Sequence, residues 1–288
     1  MSTQITTAFV EQYSSNVSML AQQMGSRLRS AVDVETVRGK HAFFDQIGVT
    51  AAQVRSTRHG STPQINTPHS RRRVGLADYE WADLVDDLDK VRMLVDPTSS
   101  YAKAAAAAMN RSIDDVIIAA IGGQAQTGVS GGTNQALPST SKFATSAQSD
   151  GMTIAKLLAA KHFLDAGDVD PSLKRYIVCG AKQIQDLLGT TSVTSADFNT
   201  VKALASGQVD SFLGFQFIMS NRLALANTDD RLCYAFTEDA VKLAIGSDVK
   251  AKISERDDKS YATQVYYSMA LGAVRMEEEK VFEIPCDE

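Results

Sequence analysis

The chain has 288 residues, 44% of them hydrophobic and 22% charged, an ordinary balance for a globular protein with enough apolar side chain for one large domain or two small ones. Its net charge of −5 is far from the basic excess of a protein built to grip nucleic acid. No apolar run approaches the roughly 18 residues that span a bilayer, and the first residues lack the positive-then-apolar pattern of a secretion signal, so synthesis in the cytoplasm is expected.

Residues 8–32 carry Phe9, Tyr13, Val17, Leu20, Met24, Leu28 and Ala31 at spacings of three and four, which predicts a helix with one apolar stripe. Gly25 weakens it by about 1 kcal/mol against alanine. Two strand-like segments follow, at 40–49 and 74–85, the second alternating through Tyr79, Trp81 and Asp83. The 24 residues between them, 50–73, are rich in Thr, Ser, Arg and His and hold five arginines, Arg55, Arg58, Arg71, Arg72 and Arg73, with no acid. So few of these residues are apolar that they cannot build a core. Connections of this length inside a compact fold are commonly functional, which predicts a long two-stranded arm with an arginine-rich tip. Immediately after it come six acids and no base: Asp78, Glu80, Asp83, Asp86, Asp87 and Asp89.

Asp96-Pro97 has the chemistry of a helix start, a capping carboxylate before a residue suited to the first turn. The alanine-rich run after it predicts the strongest helix of the chain, from 97 to 121, with Ala102, Ala105, Met109, Ile113, Val116, Ile117 and Ala120 facing inward and Gly122-Gly123 stopping it. At about 25 residues it would be a strut of roughly 37 Å. Residues 124–151 read as a loop. Beyond them the pattern is mixed: helix 152–166, apolar strand 173–179, helix 181–188, helix 196–205 and strand 212–219. Alternation at 248–256 and again at 261–271, around Asp257-Asp258-Lys259, marks a hairpin, and 280–284 reads as a last short strand.

Chemistry-bearing motifs fail on inspection. Gly123 to Ser130 imitates a phosphate loop, but Val129 stands where the lysine belongs, and the segment follows a helix where a strand is required. Cys179, Cys233 and Cys286 are odd in number and dispersed, which argues against a disulfide framework or a zinc site. His41, His59, His69 and His162 form no HxxxH or HExxH pair, and neither the acidic block nor 165–170 has the alternating oxygens and glycine turn of a calcium loop. No GxSxG elbow occurs. No catalytic residue, cofactor or metal is therefore expected. The Arg71-Arg72-Arg73 triplet lacks the interleaved aromatics of a nucleic-acid surface, and arginine's planar fork suits carboxylates. The reading preferred for Arg55, Arg58, Arg71, Arg72 and Arg73 is contact with Asp78, Glu80, Asp83, Asp86 and Asp87 of an adjacent copy.

The order of these parts resembles the tailed-bacteriophage major capsid proteins with the Hong Kong 97-type fold, over nearly the whole chain. The strut helix is similar to that family's spine helix. RYIVCGAKQIQDLL, residues 175–188, is similar to its strand-then-helix unit, and FLGFQFIMSN, residues 212–221, to its Gly-aromatic strand ending in Ser-Asn. The resemblance implies an α+β fold with an N-terminal arm (1–38), an extended loop (39–90), a peripheral domain (91–150 and 246–288) and an axial domain (151–245). It implies a structural role: pentamers and hexamers forming an icosahedral shell around double-stranded DNA held without sequence-specific contact. The implied partners are further copies of the chain, a separate scaffolding protein, a portal protein and a decoration protein, with no membrane. The shell would be assembled in the host bacterial cytoplasm and end as the virion capsid. Two other readings stay open at this stage: a cellular nanocompartment shell of the same fold, and a soluble α+β enzyme whose site is assembled from distant residues.

Overall fold

A computed structural model of the chain describes residues 22–62, 64–85, 98–143, 150–189, 211–226 and 229–288. The expected helix at 196–205, the Asp96-Pro97 cap and all of the 8–32 stripe before residue 22 lie outside these. In chain order the strands are β1 (Asp33–Thr36), β2 (His41–Ile47), β3 (His69–Gly75), β4 (Ala77–Val85), β5 (Ala125–Thr127), β6 (Thr133–Gln135), β7 (Arg175–Cys179), β8 (Ser211–Phe212), β9 (Phe215–Met219), β10 (Asp230–Thr237), β11 (Val241–Arg256), β12 (Ala262–Arg275) and β13 (Val281–Asp287). Among the described residues the helices are α1 (Thr98–Gly122), between β4 and β5, then α2 (Ile154–Ala166) and α3 (Ala181–Gly189), on either side of β7. Contacts divide the chain into two compact units, 1–25 with 78–112 and 247–269, and 26–77 with 113–246 and 270–288.

The first unit holds the start of α1, most of β4 and the hairpin of β11 and β12, in which β12 lies between β11 and β4. The hairpin turns at Asp257–Lys259, with Arg256 bonded to both Asp258 oxygens at 2.7 and 2.8 Å. Within α1, Ala105 and Met109 are buried as the periodicity requires.

The second unit carries a five-stranded sheet in the order β13-β10-β7-β9-β8. β7 is buried along its whole length and runs parallel to β9, the arrangement a strand-helix-strand crossover imposes. Helix α2 starts at Thr153, whose hydroxyl accepts the Lys156 amide, and it packs on β13 with Phe163 and Phe282 centred 5.0 Å apart. Buried Lys156 reaches the carbonyls of Asp150 (2.6 Å) and Pro285 (2.9 Å), which ties the helix start to the last strand. The three cysteines, far apart in sequence, meet in this sheet as free, fully buried thiols, with Cys286 a neighbour of both Cys179 and Cys233. Burial and then the neighbouring Cys286 push the Cys179 thiol up to about 12, so these groups behave as apolar core.

A second sheet of this unit, β2-β3-β5-β6, forms the root of the arm. Phe44, Val74, Ala125, Ala244, Val274 and Met276 form the core beneath it. Gly272 allows the close approach, because a Cβ there would sit 2.2 Å from the Gly75 carbonyl oxygen.

Several expectations are corrected. The arm's second strand is residues 69–75, not 74–85: β2 pairs antiparallel with β3 from His41↔Gly75 to Ile47↔His69, while β4 joins β12. The chain changes sheet at Gly75-Leu76, where the buried Val74 ends the arm. Residues 124–151 include the β5–β6 hairpin. The last strand, grouped in sequence with 246–271, instead pairs with β10 along Asp230↔Asp287 to Phe236↔Val281. Residues 29–31 form a single 3-10 turn ahead of β1, so no helix continues to residue 32.

Candidate assembly surface

The antiparallel ladder of β2 and β3 closes with the Gly48 amide donating to the Pro68 carbonyl at 2.9 Å. Beyond it the described residues between 49 and 67 are all exposed, Val49 at 98% and Val54 at 95%. Two aliphatic side chains so fully in solvent gain nothing from their own molecule, since burying either would contribute about 1.5–3 kcal/mol. Arg55 donates to the nearby Thr57 carbonyl (3.0 Å), and among the described residues neither Arg55 nor Arg58 has a carboxylate partner. The tip thus offers two cations and two aliphatic groups to something outside the chain.

The arginine triplet, expected at the tip, is part of β3 and does three different things. Arg71 faces out, pairs with Asp45 of β2 at 2.5 and 3.3 Å, and lies over the Phe43 ring. The Arg71 hydrogen bond holds the Asp45 carboxyl below the usual range. Arg73 donates to His41 Nε2 at 2.8 Å. Its side chain covers Gly131, where a Cβ would lie 2.2 Å from it, so the β5–β6 turn tolerates only glycine there. Arg72 points inward and is 6% exposed.

Arg72 belongs to a buried network that sequence reading did not anticipate. Its Nε donates to the Met276 carbonyl (2.8 Å), one terminal nitrogen to Gln135 Oε1 (3.1 Å), and the other to both Glu278 oxygens (2.9 and 2.7 Å). Glu278 also faces Arg275 Nε at 3.5 Å. Arg275 is 0% exposed and donates to the carbonyls of Ile121 (2.8 Å), Gly123 (2.6 Å) and Gln135 (3.0 Å). Two of these acceptors belong to the C-terminal end of α1, where backbone carbonyls lack helical partners and a cation is favourable. Desolvation pulls the Arg275 pKa down, and Glu278 opposes that pull. Glu278 therefore links the arm's inward arginine to the arginine that caps α1.

A second buried carboxylate fixes the chain ahead of β1. Asp114, 0% exposed, accepts the Ser26 hydroxyl at 2.6 Å and the amides of Arg27 and Leu28 at 3.1 Å. Its neighbour Asp115 is held by both ends of the Arg222 fork.

Of the acidic block, Asp78 and Glu80 are exposed and Asp83 is half-buried, all on β4; Asp86 and Asp87 lie outside the described residues. Glu80 bonds to the Tyr266 hydroxyl and thereby raises its pKa. Among the described residues, the carboxylates that pair with the arm's arginines are Asp45 and Glu278. For Arg72 this corrects the expectation of an inter-subunit contact: its guanidinium is buried and bonded at home. A hydrophobic-polar reading of HSRRRVG marks alternation but cannot say which arginine finds a carboxylate inside.

The described residues define a four-stranded sheet root with a long, solvent-exposed loop beyond it. Solved structures carry the same fold. The capsid protein of cyanophage P-SCSP1u aligns over 99% of this chain and 94% of its own, at 18% identity and a TM-score of 0.77. A solved chain of Mycobacterium phage Che8 aligns over 96% and 97%, at 18% and 0.71, and one from the cyanophage Pam1 capsid over 98% and 97%, at 13% and 0.72. No curated protein matches the sequence. The profile of the phage capsid protein family matches residues 5–288, and the chain belongs to that family.

Proposed function

We propose that this protein is the major subunit of a phage shell. Copies assemble as pentamers and hexamers into an icosahedral container for double-stranded DNA, built in the host cytoplasm with a separate scaffolding protein and joined by portal and decoration proteins. The reading is carried by one observation, the solvent-exposed loop between Gly48 and Pro68, whose apolar and cationic groups have no use within one molecule. Arg55, Arg58, Arg71 and Arg73, with Asp78, Glu80, Asp83, Asp86 and Asp87, are the charged groups proposed for contacts between copies. The peripheral part is assigned to the spine helix α1 with β11 and β12, and the axial part to the five-stranded sheet with α2 and α3. Each exposed ion pair contributes only about 0–1 kcal/mol, which suits assembly: misplaced subunits leave, and repetition over a closed shell supplies the stability. Size-exclusion chromatography and negative-stain microscopy of the protein, alone and with scaffold, test this. Closed shells are expected; a 31 kDa species that stays monomeric with scaffold present overturns it. Nucleic acid in shells recovered from infected cells favours the phage reading over a compartment that encloses enzymes.

A further inference from the structure

A groove of about 730 Å3 opens beside the root of the loop. Ile47, Phe163 and Met276 give it apolar walls, Thr140 lies on its rim, and Glu277 and Glu279 supply acid. Glu277 already shares Lys280 at 3.1 Å, whereas Glu279 is exposed and has no ion pair among the described residues. The groove therefore mixes apolar side chains with polar ones, Arg72 and Glu278 among them, and Glu279 is a carboxylate in its lining without an ion pair among the described residues. The exposed loop presents the complement, in the stretch Val54-Arg55-Ser56-Thr57-Arg58: an aliphatic side chain and two guanidiniums without carboxylate partners.

We propose that this groove is the seat for the 54–58 segment of a second copy of the chain, with Arg58 answering Glu279 and Val54 packing against the Ile47, Phe163 and Met276 side chains. The inference rests on shell assembly as proposed above and names the acceptor that such assembly uses. The segment does not fill the groove of its own chain, because Val54 remains 95% exposed there. The acidic face of β4 is the competing acceptor. It offers carboxylates, one of them bonded to Tyr266.

Two measurements decide. Arg58→Glu and Glu279→Arg should each lower the yield of closed shells roughly fivefold, and the double variant, with the charges exchanged, should restore it to within about twofold. Thr57→Cys with Thr140→Cys should give disulfide-linked multimers on mild oxidation of assembled shells, and none in the unassembled subunit. The three native thiols are buried and stay out of the reaction. If wild-type shells form but the double variant stays defective and no link appears, the groove is not the acceptor while shell assembly stands. If instead rescue follows from exchanging Arg58 with Asp78 or Glu80, the β4 face is the seat and the groove assignment falls. If wild-type protein forms no shell, the functional reading fails and this one with it.

Discussion

Replacing Glu278 by alanine tests whether the Arg72–Glu278–Arg275 network holds the arm root to the end of α1. The Arg72 and Glu278 side chains are 7% and 13% exposed, and that of Arg275 is 0% exposed, so neither arginine can turn to water when the carboxylate goes. Arg72 would lose both bonds of one terminal nitrogen, and Arg275 its only nearby counter-charge among the described residues. Breaking a buried pair from one side costs about 3–5 kcal/mol, because an uncompensated charge stays behind. For a chain of this size that is a fall in Tm of roughly 10 °C. Glu278→Gln keeps the shape and one acceptor, so it should fall between the wild type and Glu278→Ala. Calorimetry on the unassembled subunit gives the Tm, and hydrogen exchange at residues 41–47 and 69–75 shows whether the arm root loosens first. A Glu278→Ala protein that melts within about 1 °C of wild type, with unchanged exchange there, would refute the argument.

Arg71 and Arg72 should behave differently although they are adjacent: Arg71→Ala should leave the denaturant midpoint nearly unchanged, since its pair with Asp45 is exposed, and Arg72→Ala should lower stability by about 3 kcal/mol or more, both read from denaturant midpoints. A triple Arg71/Arg72/Arg73→Glu protein should consequently fail to fold stably, so its loss of assembly would say nothing about contacts between copies. Asp114→Ala removes a charged acceptor from one hydroxyl and two amides and should destabilise by about 3 kcal/mol, with exchange at 26–31 rising first. Desolvation, then Arg73 and Lys40, lower the His41 pKa below 6.5. The unfolded chain then takes up that proton more readily, so stability should fall as pH drops through 6.5 and stop responding to His41 below its folded pKa. His41→Gln should lose this part of the slope between pH 7.5 and 5.5 in urea melts. An unchanged difference between the two proteins across that range would refute it.

Much of the local structure was legible in the chain. Alanine content and the spacing of Ala105, Met109, Ile113 and Ile117 specify α1 to within a residue. Apolar continuity marks β7, and the interrupted alternation marks the turn between β11 and β12. β10 escaped because its apolar run Leu232–Phe236 is short, buried and without alternation, and such a run reads equally as helix or strand. The arm's length and solvation were also evident, since a stretch that poor in apolar groups has nothing to bury.

What only the tertiary structure decided is which polar groups are inside. Arg72 is indistinguishable from Arg71 and Arg73 until Glu278 arrives from 206 positions away, and Asp114 from Asp115 until Ser26 arrives from 88. Cys179, Cys233 and Cys286 become a cluster only when β7, β10 and β13 lie side by side. Periodicity and composition act through near neighbours and so determine elements. A buried charge or thiol is determined by its partner, and the partner's distance along the chain leaves no local trace.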